Sequence, residues 1–206
     1  TAYNGTTTKT YTVVVTRATP VPGDVDGGFV ADANQYANGY AAMVQPDGKI
    51  IVTGSFTTLS GVARNRIARL NADGTLDTGF NPNADNEVRA VLVQPDGKIV
   101  IAGTFSAVGG TARTSLARLN ADGTLDSSFN PALDSSVSAL ELQPDGKILI
   151  GGNFTTINTI ARNRLARLNA DGTLDGTFTA SVSNGYVTSI ALQPDGKVVL
   201  GGYFTT

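Results

Sequence analysis

Carboxylates carry most of the chemistry open to this 206-residue chain, because it contains no histidine and no cysteine. Imidazole bases, thiol nucleophiles, disulfide frameworks and the usual zinc sites are thereby removed together. Acid–base or glycosidic chemistry would need two carboxylates held roughly 5–10 Å apart. Glu141 is the one acid inside a strand-like apolar run, and Met43, Leu92 and Ala191 hold the matching place in three similar runs. A lone acid lacks its partner. The string Asn71-Ala72-Asp73-Gly74-Thr75-Leu76-Asp77 spaces oxygens in the manner of a calcium loop. It lacks the third oxygen ligand and the distal bidentate glutamate of that pattern. Asp24 and Asp26 beside Gly27 are equally partial. Turn aspartates that accept from nearby amides account for both strings without a metal. The expectation is a non-catalytic chain with no cofactor.

What positions these residues is a repeat. Gln-Pro-Asp-Gly-Lys begins at Gln45, Gln94, Gln143 and Gln193, and Ala-Arg-Leu-Asn-Ala-Asp-Gly-Thr-Leu-Asp begins at Ala68, Ala117 and Ala166. Both strings recur about every 49 residues, a period typical of repeat architectures in which neighbouring units share their cores. In the second repeat, Val88–Val93 reads as a strand, Gln94-Pro95-Asp96-Gly97 as a tight turn and Lys98–Phe105 as a second strand. Proline presets φ at the first central turn position and glycine takes the left-handed one. A loop over Ser106–Arg113 follows, then a third strand (Ser115–Asn120), the turn at Ala121-Asp122-Gly123 and a fourth strand (Thr124–Phe129). No ten-residue window carries helical periodicity.

Each repeat therefore predicts a four-stranded antiparallel meander, apolar on both faces in its first two strands and polar outward. Burial is expected to fall from the first strand to the fourth, as in a β-propeller blade whose first strand lines the axis. A sandwich would alternate in nearly every strand. All eight phenylalanines fall at two repeat positions: Phe56, Phe105, Phe154 and Phe204 end the second strand, and Phe29, Phe80, Phe129 and Phe178 end the fourth. Burial between blades would stabilise each by about 1.5–3 kcal/mol. Ala41, Ala90, Ala139 and Ser189 suit a crowded place near the axis, and Arg64, Arg66, Arg69 and their equivalents are expected to pair with turn aspartates.

On the residues Leu142–Lys147, Gly151–Phe154 and Ala161–Asp175, the repeat resembles the bacterial delta-60 family of β-propeller modules. The resemblance spans residues 26–206. It implies large secreted or surface-attached proteins and no general catalytic activity. Glu141, Thr179-Ala180 and Ala112–Ser115 depart from the pattern. Residues 1–18 are similar to the closing hairpin of a bacterial cadherin-like or immunoglobulin-like sandwich, with a turn at Asn4-Gly5-Thr6 and a strand over Thr8–Arg17. Residues 19–25 read as a linker. Blades are expected at about 39–80, 88–129 and 137–178, with a partial one at 187–206. The ring is incomplete in this chain, which predicts a segment of a longer polypeptide. It also predicts an open edge on the fourth repeat, to be covered by more chain, a second copy or the Thr8–Arg17 strand.

Fifteen basic and seventeen acidic residues are mixed along the chain for a net charge of −2. No basic stripe points to nucleic acid, and no apolar run reaches membrane-spanning length. In a meander both tight turns share one face, nearly constant between repeats. The opposite face carries the variable segments 31–38, 83–87, 132–136 and 180–186, where binding on a rigid scaffold concentrates. Tyr36, Tyr40, Asp85, Glu87, Arg89, Asp134, Asn184 and Tyr186 are the candidate partner-binding residues. The sequence thus predicts an extracellular scaffold, adhesion or protein-interaction module. Its partners would be other domains of the same polypeptide, surface proteins or glycans, with self-association through the open blade. A carbohydrate- or calcium-binding propeller is the alternative. A hydrolase or lactonase with clustered acids in other blades is the second.

Overall fold

The computed structural model describes residues 11–14, 30–34 and 37–205, with β-strands and no helix among them. The first blade holds β3 (Gly39–Val44), β4 (Ile50–Gly54) and β7 (Ile67–Leu70), and its outer loop holds β5 (Thr58–Leu59) and β6 (Val62–Ala63). In the second blade these become β8 (Val88–Val93), β9 (Ile99–Gly103), β10 (Ala107–Val108), β11 (Thr111–Ala112) and β12 (Leu116–Leu119). The third has β13 (Val137–Leu142), β14 (Ile148–Gly152), β15 (Thr156–Ile157), β16 (Ile160–Ala161) and β17 (Leu165–Leu168), and the fourth has β18 (Tyr186–Leu192) and β19 (Val198–Tyr203). Two further strands, β1 (Tyr11–Val14) and β2 (Val30–Ala33), join β5 and β6 in a sheet ordered β1-β2-β5-β6. Every pairing is antiparallel, and the first strands neighbour one another in sequence order, β3 to β8 to β13 to β18. The result is an all-β propeller segment whose ring is not closed.

The turn chemistry reads through to the backbone. Gly48 donates to the carbonyl of Gln45 at 2.9 Å and takes φ +81°, and the next three Gln-Pro-Asp-Gly turns repeat the same bond with φ of +81° to +83°. The aspartate of each turn accepts from the following lysine amide at 3.1 Å.

Three expectations need correction. The fourth strand shrinks to one bridge per blade, Leu70 to Leu76, Leu119 to Leu125 and Leu168 to Leu174. The chain then bends so that the following phenylalanine drops into the joint between blades. Burial peaks in the second and third strands rather than the first: β4, β9 and β14 are buried throughout, whereas β3, β8 and β13 are only partly so. The middle strands lie between neighbouring blades, while the first also borders the axis. Finally, the loop after the second strand is a two-residue hairpin, β5–β6, β10–β11 or β15–β16. Its turn residues all have positive φ, as type I′ geometry requires: Ser60-Gly61, Gly109-Gly110 and Asn158-Thr159.

The core lies in the joints. Ile51 and Ile67 of the first blade pack with Val88, Val91 and Phe105 of the second. Val100, Ala102 and Leu116 meet Val137, Ile150 and Phe154, and Leu165 meets Val182 and Val187. Phe80, Phe105, Phe129 and Phe154 are the largest fully buried side chains. Phe29 lies outside the described residues, as do most of the expected N-terminal hairpin and the 19–25 joint. Tyr11–Val14 pairs with Val30–Ala33 at the first blade, and so does not cover the edge of the fourth.

Candidate functional site: the variable rim

The constant face uses its charges on itself. Asp77 accepts from Lys49 Nζ and Arg69 Nε, both at 2.9 Å. Asp126 does the same with Lys98 and Arg118, and Asp175 with Lys147 and Arg167. The lysine bond is the largest influence holding Asp77 below the ordinary carboxylate range, against an opposing effect of burial. Each arginine also lies over the phenylalanine that ends its own blade, with the guanidinium carbon 4.3, 4.6 and 4.9 Å from the ring centres of Phe80, Phe129 and Phe178. Arg69 and Arg118 reach on to the next blade, donating to the carbonyls of Ala121 and Ala170 at 2.6 Å.

Arg64 and Arg66 depart from the expected pairing with aspartates. Arg64 donates to the carbonyls of Ala63 and Thr78, and Arg66 to that of Ser55. The calcium-like string is also internally engaged: Asp73 Oδ1 accepts from the Thr75 amide at 3.0 Å and its hydroxyl at 2.6 Å. Among the described residues, no group of three or more Asp or Glu side chains gathers in a metal-binding arrangement.

On the opposite rim, every first strand carries a bulge near its start, one residue after Gly39, Val88, Val137 or Val187: Tyr40, Arg89, Ser138 and Thr188. A bulge re-aims its side chain and ends regular pairing, a device common beside binding sites. Glu87 ties two of these bulges together. It accepts from the Tyr40 hydroxyl at 3.0 Å and from Arg89 at 2.9 and 3.1 Å. Burial pushes the Glu87 carboxyl up, but the bonds from Arg89 and Tyr40 outweigh it and keep the group below its ordinary value. The structure thus gathers three of the candidates, Tyr40, Glu87 and Arg89, into one half-buried network.

Asp85, Asp134 and Asn184 do something else. Asp85 accepts from the amides of Ser106 and Ala107 and from the Ser106 hydroxyl; Asp134 does so from Thr155 and Thr156. Asn184 accepts from the Thr205 amide at 2.8 Å. These side chains shape the loop after the second strand. Tyr36 lies outside the described residues.

The fourth blade adds a feature that sequence reasoning missed. Tyr186 and Tyr203 are cross-strand partners with ring centres 5.1 Å apart and planes tilted by 32°. They are 40% and 71% exposed, among the most open large hydrophobic side chains described. The matching pairs in the other blades are Asn38 with Ser55, Glu87 with Thr104 and Ser136 with Asn153. An aromatic at both members of one cross-strand pair was the signal available in the sequence. Tyr40, at 41% exposure, sits at the other end of the same rim.

Tyr40 also borders a cavity of about 430 Å³ beside the first blade, lined by Ala33, Gly39, Val52, Phe56 and Leu59. Gly39 stands where Val88, Val137 and Val187 fill the later joints.

No curated protein matches this chain. Among solved structures, the WD40 β-propeller domain of Doa1 superposes with a TM-score of 0.57 at 14% identity, over 86% of this chain and 58% of that one. The extracellular domain of the one-component system BT4673 from B. thetaiotaomicron aligns at 16% identity and a TM-score of 0.47, over 81% of this chain and 20% of that one. The chain thus spans less than two thirds of either neighbour, and the first of them shows the fold alone. A family model matches residues 45–80, 94–129, 143–178 and 193–206, more than half of the sequence and every one of its repeats. Each matched stretch begins at a Gln-Pro-Asp-Gly turn and takes in the second strand of its blade, and the chain belongs to the family described as Domain of unknown function (DUF5122) beta-propeller.

Proposed function

We propose that this chain is a non-catalytic binding and scaffold module of a bacterial extracellular protein, recognising surface proteins or glycans with its variable rim. The observation that carries the reading is the Tyr186–Tyr203 pair, two exposed aromatic rings held on a rigid hairpin. Tyrosines offer large, stiff, amphipathic contact area at low entropic cost and dominate recognition surfaces. The charged groups of the constant face are engaged within the chain, which leaves the rim as the surface free to vary. Resemblance of the repeat to delta-60 modules supports the extracellular setting, as does a composition without cysteine.

Glycan recognition is the second reading, favoured by the same two rings, because a sugar face stacks on an aromatic one. An array carrying glycans and extracellular proteins, probed with the chain and with its Tyr186→Ser/Tyr203→Ser variant, tests both. Spots bound by the parent and weakened tenfold or more in the variant support the rim, and their chemistry separates protein from sugar. Binding that the double substitution leaves unchanged overturns the placement. An array without any bound spot overturns the recognition role.

A further inference from the structure

We infer that the rim where the third blade meets the fourth is a site for a uronic acid unit of a glycan. Arg164 takes the carboxylate, and the Tyr186–Tyr203 pair takes the apolar face of the sugar. The inference rests on the reading of the rim as a recognition surface and names the ligand class.

Three joints bring the same two positions together, and their residues change together. The first joint has Arg66 on one blade and Glu87 on the next, the second has Ser115 and Ser136, and the third has Arg164 and Tyr186. The first therefore carries a cation with its acid, and the second carries neither. Burial raises the Glu87 carboxyl, but Arg89, Tyr40 and the charge of Arg66 together bring it below its ordinary value. In that joint the chain itself supplies the carboxylate. The third joint keeps the cation, and an aromatic ring stands where the acid was.

The backbone does not require an arginine there. Arg66, Ser115 and Arg164 all take left-handed φ values of +64° to +67°, so serine serves the same turn. Arg164 donates its Nε across the joint to the carbonyl of Gly185, the residue directly before Tyr186. That bond holds the guanidinium next to the ring pair. Its two terminal nitrogens have no partner among the described residues, and no described carboxylate pairs with it. A guanidinium with this edge open matches a carboxylate as a bidentate fork.

The tyrosines supply the other half. Their rings, 5.1 Å apart and tilted by 32°, form an exposed apolar platform. In the segment leading to it, residues 180–186, Val182 is buried and Ser181 and Ser183 are exposed, with Tyr186 the one exposed large apolar side chain. A protein hot spot needs surrounding contacts that exclude water from its rings. Rings set among small hydroxyl-bearing residues suit a pyranose, with its C–H face and polar edges. A uronic acid carries both required features in one unit, a carboxylate and a C–H face.

The test titrates the chain calorimetrically, at physiological ionic strength, with oligosaccharides of galacturonic, mannuronic or glucuronic acid. Their methyl esters and an oligoglutamate of matched charge are titrated alongside. At least one uronate is expected to bind, with its ester about tenfold weaker, the loss of one charge-assisted bond. Arg164→Ser should weaken the acid about as much and leave the ester unchanged. Ser115 holds this place in the second blade, and the ester comparison, made on the parent chain, is independent of the variant. Tyr186→Ser/Tyr203→Ser should weaken acid and ester alike. Equal binding of acid and ester that still needs the tyrosines overturns the carboxylate site and leaves the rim reading standing. Oligoglutamate bound as tightly as the uronate overturns the sugar assignment. No binding of any uronate, or binding that Arg164→Ser leaves unchanged, overturns the proposal.

Discussion

Gly151 sits directly against Val187 of the following blade: a Cβ on it would stand 2.6 Å from Val187 Cγ1 and 3.0 Å from Ile190 Cδ1. The same place is Thr53 in the first blade and Ala102 in the second, opposite Val91 and Leu140. Gly151→Ala should destabilise the chain by about 1–3 kcal/mol through overpacking. Adding Ile190→Val should recover part of that loss, giving a coupling visible in a double-mutant cycle by urea titration. Additive losses would show that the two residues do not share the joint.

The blades and their tight turns were legible in the sequence because Gln-Pro-Asp-Gly and Asn-Ala-Asp-Gly fix backbone geometry locally, and the 49-residue period exposes them. The hairpin after the second strand was not, because its strands are two residues long and its turns share no residue at the first position: Ser60, Gly109 and Asn158. The site was half legible. Tyr40, Glu87 and Arg89 do come together. Asp85 and Asp134 look like them in sequence, yet they bond loop amides twenty-one and twenty-two residues away, a contact no local pattern announces.

Thr159 is a β-branched residue at φ +67°, in the turn position that Gly61 and Gly110 occupy in the other blades. Left-handed backbone costs such a residue on the order of 1 kcal/mol. Because its side chain is exposed, Thr159→Gly should stabilise the chain by about 1 kcal/mol despite the flexibility glycine adds to the unfolded state. A melting temperature higher by about 2–4 °C is the expected reading, and an unchanged or lower one would show the turn to be relaxed.

Glu141 of β13 holds the place at which Leu92 of β8 is buried in the joint between the second and third blades. Burial raises its carboxyl above the ordinary value. A folded acid that holds its proton more tightly than the unfolded chain does costs stability as pH rises past the unfolded value of about 4.3, and the cost is complete above the folded value. Glu141→Leu should therefore stabilise the chain at neutral pH by about 1–2 kcal/mol. The gain should shrink below pH about 4, where the parent is protonated. A gain independent of pH would assign the effect to packing alone.

The three Lys–Asp–Arg clusters predict the opposite limb of the pH profile. Bonds from Lys98 first, then from the Ser128 hydroxyl, outweigh burial and hold Asp126 far below the ordinary carboxylate range. For Asp175 the Thr177 hydroxyl leads, followed by Lys147. A depressed folded value means stability that is fully present above the unfolded pKa of about 3.9 and is lost as pH falls below it toward the folded one. Each aspartate ties the second strand, the third strand and the outer segment of its blade, and through Arg118 the cluster of the second blade reaches the third. Asp126→Asn should thus cost about 2–3 kcal/mol at pH 7, since it leaves Arg118 and Lys98 without their shared counter-charge. The difference from the parent should narrow from pH 4 to pH 2 and close only below the depressed folded value. Denaturant titrations at pH 7, 4 and 2 read this directly. A deficit as large at pH 2 as at pH 7 would mean that Asp126 acts through shape, with its charge contributing nothing to the joint.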